Sequence, residues 1–278
     1  MPGLGFCDMG EQKHRQWSRA RVLKENPWCI YCGAPAKTTD HCPPRAIFRG
    51  RAWPETYEFS CCNSCNDEGR RDEQVVAVLA RMRNANSELD HVEFRKQAQG
   101  LKNNQPAIVA EWLPMSRNEV RKHLRKNLGD LGDDLRRSGW GGMTLGPLTC
   151  AALDRFSLRL AKALYFREIG ERLVGVIHAR RHSVADGTSF EMLAEIANLA
   201  PMIAGPFRAR KRLSDQFEYC YNASTSLGAL YAVAEFSPQM IFQIFALSSR
   251  ALSGLNEYRA TLGQDPLRTD QEGGGLMF

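Results

Sequence analysis

Two Cys-x2-Cys pairs, Cys29/Cys32 and Cys62/Cys65, stand with 29 residues between them and bracket an Asp40-His41 dipeptide. Asn66 follows the last cysteine directly, and Glu73 lies seven residues further on. Four thiolates from two such knuckles make a tetrahedral zinc site that leaves no coordination position for water, so the metal expected here is structural. Gly33 follows the first pair and supplies its tight turn. Cys61 offers a competing x3 spacing to Cys65, but x2 is the common knuckle geometry, and Cys62 is the expected ligand. Cys42, beside His41, reads as a small buried filler.

Inside the bracket the chemistry changes from soft to hard donors. The carboxylate of Asp40 and the amide oxygen of Asn66 suit a Mg2+- or Mn2+-like ion that keeps several waters for a phosphate to replace. A neutral imidazole such as His41, with an unperturbed pKa of about 6.5, can take the proton of an attacking water. If a helix begins near Asn66, Glu73 returns to the same face two turns later and supports the metal through water or fixes a partner. An Asp-His pair alone is an ordinary turn; inside the cysteine frame the set reads as a phosphodiester-hydrolysing site. Arg45, Arg49 and Arg51 follow the dipeptide, and Arg70 and Arg71 fall on the expected helix, so guanidiniums suited to nucleic-acid phosphates flank both sides.

The segments CIYCG, TTDHCPPRAIF and CNSCND followed by RRDE resemble the HNH, or ββα-metal, endonuclease superfamily in its zinc-stapled treble-clef form, over about 45 of 278 residues. The resemblance implies that His41 is the general base. It also implies that Asp40 and Asn66 hold one divalent ion, and that cleavage of DNA leaves a 5′-phosphate and a 3′-hydroxyl. Double-stranded DNA is then the expected partner. The DHxPP form is similar to a bacterial subgroup linked to mobile elements or defence. One departure stands out: many members carry a strand Asn that orients the histidine, and the stretch from Arg51 to Phe59 has none.

The surrounding elements must hold these groups in place. Residues 11–26 are compatible with a lead-in helix stopped by Pro27. Residues 28–71 are dense in Cys, Pro and Gly, too short to bury a core unaided, and so metal-stapled. Val75, Val78, Leu79 and Met82 recur at helical spacing and extend the helix through DEQVVAVLARMRNANSEL. Ser116 and Glu119 form a capping-box pattern opening a basic helix with Val120, Leu124 and Leu128 on its apolar side. SGWGGMTLGP (138–147) reads as a Gly-rich linker. In the next helix Leu153, Phe156, Leu160 and Leu164 share one face, with Arg155, Arg159 and Lys162 largely on the other. ERLVGVIHAR, FEYCYN, LYAVAEF and MIFQIFAL have strand character.

The expected fold is α+β: an N-terminal ββα-metal/treble-clef zinc motif followed by a larger helical and antiparallel-sheet domain. The organisation reads as a lead-in helix (1–27), the nuclease motif and its helix (28–100), a basic connector (101–147), a C-terminal α+β domain (148–261) and a mobile tail (262–278). The +6 formal charge permits contact with a polyanion without demanding it. No apolar run reaches the roughly 20 residues that span a bilayer, no export signal is evident, and paired cysteines favour reduced thiols, so a cytoplasmic protein is expected. The clusters RKHLRK and FRARKR and the His178/His182 pair read as solvated polar surface, and Phe217, Tyr219 and Tyr221 as core rather than a base-stacking platform. Two functions remain open: a metal-dependent endonuclease, with RNA as a further substrate, or a treble-clef module that binds nucleic acid or protein without cutting.

Overall fold

The fold is described from a computed structural model. It covers residues 18–267 apart from 52, 55, 83–87, 138–140, 184–186, 200–206, 214–215 and 237–239. The helical residues 18–25 (α1) run up to Pro27, as the sequence requires. The part of the lead-in helix before residue 18, and the tail from 268 on, lie outside the described residues.

The first layer is small. Strand β1 (Thr38–His41) pairs antiparallel with β2 (Glu58–Cys61), in a register that sets Asp40 opposite Phe59 and His41 opposite Glu58. Helix α2 (Asn63–Arg81) follows at once. It begins one turn before the expected Asn66 because the Cys62 thiol acts as its N-cap, accepting the Cys65 backbone N–H at 3.4 Å. The helical period expected to run on through residue 89 stops at Arg81, and a separate helix α3 (Glu88–Asn104) turns back. Leu101 of α3 and Ile108 of the short α4 (Pro106–Ala110) cover Val75 and Val78 of α2.

A connector then leads to the second layer. Its strands β3 (Leu113–Pro114) and β4 (Met143–Thr144) pair antiparallel, and α5 (Arg117–Leu128) and α6 (Asp130–Arg137) lie between them. The capping box at Ser116 and Glu119 forms as read, Ser116 N–H donating to Glu119 Oε2 at 2.7 Å and Glu119 N–H to Ser116 Oγ at 3.3 Å. Helix α7 (Pro147–Ile169) starts with Pro147 at its first position and ends at Gly170, left-handed at φ 87°. Its orphan N-terminal donors are met from the connector, since the Glu111 carboxylate accepts from Leu148 and Thr149 N–H at 3.0 Å each.

The C-terminal layer is a five-stranded antiparallel sheet in the order β5 (Gly175–His182), β9 (Ile241–Ser248), β8 (Ala229–Glu235), β7 (Glu218–Ser224), β6 (Phe207–Arg212). Alternation in β8 serves two cores: Leu230, Ala232 and Ala234 face the α7 core, while Tyr231 and Val233 pack with Phe190 and Leu193 of α8 (Phe190–Leu199). A strand covered on both faces needs a near-continuous apolar run, which LYAVAEF provides. Phe217, Tyr219 and Tyr221 are buried as core residues. FRARKR, read as a basic surface cluster, is the edge strand β6, and α9 (Ser249–Thr261) follows β9. The architecture is α+β, and among the described residues no helix is long and apolar enough to cross a membrane.

One apolar cluster joins the layers. Cys29, Ile30, Tyr31, Cys42, Phe48, Phe59 and Val76 belong to the same core as Leu153, Phe156, Leu164 and Phe242. The zinc motif therefore sits directly on α7.

Candidate metal centre and hydrolytic cleft

The Sγ atoms of Cys29, Cys32, Cys62 and Cys65 all lie within 4.8 Å of one another, and Cys32 and Cys62 approach to 3.6 Å. Sulfurs bound at about 2.3 Å to one tetrahedral zinc sit roughly 3.8 Å apart, so the four fit that ion. Local backbone builds each knuckle: Gly33, left-handed at φ 81°, donates its N–H to Cys29 O at 2.9 Å, and Asn66 N–H donates to Cys62 O at 3.1 Å. The choice between Cys61 and Cys62 resolves with the N-cap, which turns Cys62 toward its partners. Cys61 is fully buried and its thiol donates to Cys62 O at 3.3 Å. The thiols differ in acidity. The neighbouring Cys61 thiol, shared between Cys62 O and the Cys29 sulfur, with backbone N–H groups helping, pulls Cys29 down to about 3, whereas burial pushes Cys32 and Cys65 up. Four neighbouring thiolates repel unless a cation neutralises them, and this donor set suits zinc. Cys42 is buried, and burial with the nearby Asp40 charge raises its thiol well above the ordinary value, as befits an inert filler.

Beside this cluster lies a cavity of about 540 Å3 whose lining includes Asp40, His41, Arg45, Asn66, Arg70 and Glu73. β1 supplies the first two and α2 the last three, so the hairpin and the helix start bring together groups up to 33 positions apart. Gln97, Gly100 and Leu101 of α3 close the far side. Two expected phosphate contacts point elsewhere. Arg49 pairs with Asp90 at 3.8 Å while its backbone N–H is held by Gln216 Oε1, and Arg71 is exposed on α2 outside the cavity lining. The side chain of Arg51 lies outside the described residues.

Asp40 is only 3% exposed, and Oδ2 takes both of its partners: Tyr31 Oη donates at 2.5 Å and Arg159 at 2.9 Å. Arg159 also donates to Cys65 O at 2.7 Å, approaches Glu73 Oε1 at 3.5 Å and stacks on the Tyr31 ring at 4.0 Å. Burial, then the Asp40 charge, push Glu73 up to about 8 against the opposing pull of Arg159.

His41 is half-buried. Its ring meets Trp53 edge-on, centroids 4.4 Å apart, and Nε2 lies 4.0 Å from Glu58 Oε1. Glu58 is fixed in turn by Thr39 Oγ1 at 2.6 Å and Ser18 Oγ at 2.7 Å. The Arg51–Phe59 stretch thus offers a carboxylate and an indole at the place where the family resemblance expects a strand Asn.

Comparison of the chain with protein-family models, with curated proteins and with solved structures finds no match.

Several site residues escaped the sequence reading. The helical pattern puts Arg155, Arg159 and Lys162 largely on the polar side of α7, yet that side is docked on the cysteine motif. Arg155 forms a two-pronged pair with Asp72 at 2.7 and 3.0 Å, and Lys162 donates to Tyr31 O at 3.1 Å. Their i, i+4, i+7 spacing marked one stripe; what it faces is tertiary information. Glu58, Trp53 and Tyr31 were equally invisible, since cross-strand register and ring packing decide their roles.

Proposed function

We propose that the protein is a metal-dependent endonuclease of the HNH type that hydrolyses phosphodiester bonds in DNA, with a structural zinc on Cys29, Cys32, Cys62 and Cys65. The observation that carries the proposal is a cavity next to the four-cysteine cluster whose lining includes Asp40, His41, Asn66 and Glu73. Oxygen donors there, a carboxylate and an amide with a second carboxyl nearby, fit Mg2+ or Mn2+. When bound, such an ion supplies charge neutralisation for the phosphate and the departing 3′ oxygen.

The chain's own groups do the rest. The Glu58 carboxylate, 4.0 Å from Nε2, orients the His41 ring and offsets the charge the imidazole gains when it takes the proton of water. The water oxygen forms the new bond to phosphorus, the P–O3′ bond breaks, the 3′ oxygen takes a proton from solvent water, and His41 returns its proton to solvent. General-base assistance of this kind contributes about 10^2- to 10^4-fold. Arg45 and Arg70 at the cavity wall hold the phosphate backbone, and contacts of that type give little sequence preference.

The Asp40–Arg159 pair favours a second reading, a zinc-stapled module that binds nucleic acid and does not cut, because a guanidinium already occupies the carboxylate. Incubation of zinc-loaded protein with supercoiled plasmid, and in parallel with RNA, separates the two. Nicked or linear DNA that depends on added Mg2+ or Mn2+ is expected. Intact plasmid and intact RNA under every ion condition would leave the binding module.

A further inference from the structure

The Arg159 side chain sits where an isolated nuclease motif has no residue to offer. It enters from α7, some 86 residues downstream of Glu73 in sequence, and is only about one-tenth exposed. Its Nη1 is fixed on Cys65 O, its Nη2 on Asp40 Oδ2, and the guanidinium plane lies on Tyr31. The Nε, by contrast, is buried with no hydrogen-bond partner among the described residues, and Glu73 Oε1 stands 3.5 Å from it. One donor, the Nε facing Glu73, is thus left without a hydrogen bond, so release of the guanidinium from the carboxyl groups gives up fewer bonds than release of a fully bonded one would. Gly69 on α2 makes room for it: a Cβ there would lie 2.5 Å from Arg159 Cζ.

We propose that Arg159 is a resident cation that occupies the Asp40 carboxylate in the resting protein and competes with the catalytic divalent ion, so that the ion is held tightly only when nucleic-acid phosphate enters with it. This inference rests on the endonuclease reading and adds a positioning residue to it. The charges decide the direction. A doubly charged ion arriving beside a fixed guanidinium is repelled at contact distance, and the guanidinium already shares the charge of Asp40. The phosphate diester brings the negative charge that lets both cations remain, with Arg159 free to turn toward it.

A merely structural arginine predicts the opposite of a competing one, because loss of a buried clamp loosens the ligands and weakens ion binding. The test is calorimetric titration of Mn2+ into zinc-loaded protein without nucleic acid, comparing wild type, Arg159→Met, Gly69→Ala and Asp40→Asn, each checked for folding by circular dichroism. Arg159→Met is expected to bind Mn2+ at least about tenfold more tightly than wild type. Gly69→Ala, which displaces the guanidinium without removing it, shifts affinity in the same direction and carries the test if Arg159→Met does not fold. Mn2+ affinity unchanged or weaker in the folded variants, with binding still abolished by Asp40→Asn, overturns the competing role alone. Binding indifferent to Asp40→Asn overturns the ion-ligand assignment and this inference with it.

Discussion

The zinc motif and the C-terminal sheet hold themselves together by different means. The motif has two four-residue strands and depends on four converging thiols, an N-cap made by one of them, and cations lent by α7. The sheet has central strands of seven or eight residues, buried on both faces, with Phe156, Phe236 and Phe242 clustered at ring separations of 5.6 to 5.7 Å. Beyond the apolar core they share, one region relies on directed polar contacts and four thiols suited to zinc, the other on apolar burial. The difference explains where chemistry can sit, because polar groups held by directed contacts remain available to a ligand, whereas a packed sheet has none to spare.

Removal of zinc is the strongest way to split the two. Zinc binding to such sites is worth about 10–16 kcal/mol in small folds, so chelation should erase hydrogen-exchange protection at residues 29–66 while the amides of β7, β8 and β9 stay protected. Simultaneous loss in both regions would mean that they form one cooperative unit. The reverse experiment acts on the sheet: Phe156→Ala deletes a fully buried ring and should cost about 3–5 kcal/mol in denaturant unfolding, with zinc content unchanged.

A smaller effect tests the seam between the regions. Tyr57 of the motif and Tyr219 of β7 share a hydroxyl contact at 2.7 Å, Tyr219 Oη donates to Glu168 at 2.6 Å, and Lys211 pairs with Glu168 at 2.8 Å. Burial opposes the Glu168 charge, yet the hydrogen bonds from Lys211, Tyr219 and Tyr221 outweigh it and hold the carboxyl below its ordinary value. A depressed carboxyl stabilises the fold above its unfolded pKa of about 4.3, and that contribution disappears as pH falls through the lower folded value. Glu168→Gln should cost about 1.5–3 kcal/mol at pH 7 and flatten the acid limb of stability, measured by thermal unfolding between pH 3 and 7. An acid limb identical to wild type would assign it to other carboxyls.

Legibility in the sequence followed the same division. Cys29, Cys32, Cys62 and Cys65 declared themselves because metal geometry fixes the spacing within each knuckle, and Ser116 with Glu119 because a cap is local. The α7 face at Leu153, Phe156, Leu160 and Leu164 followed from helical period. By contrast α3, with mixed polarity, and FRARKR, a strand whose charged composition hides its ladder, gave no local signal. Arg159 was the largest omission: the pattern showed a basic stripe, and only the packed fold reveals that the stripe meets Asp40, Asp72 and Tyr31 rather than water.

The proposed division of labour gives zinc the frame and the cavity the hydrolysis. The most direct test is His41→Ala, measured for zinc content and for Mg2+- or Mn2+-dependent plasmid nicking in the same preparation. About one zinc per chain with nicking reduced at least about 100-fold is the predicted result. Nicking at the wild-type rate, with zinc in place, would contradict it.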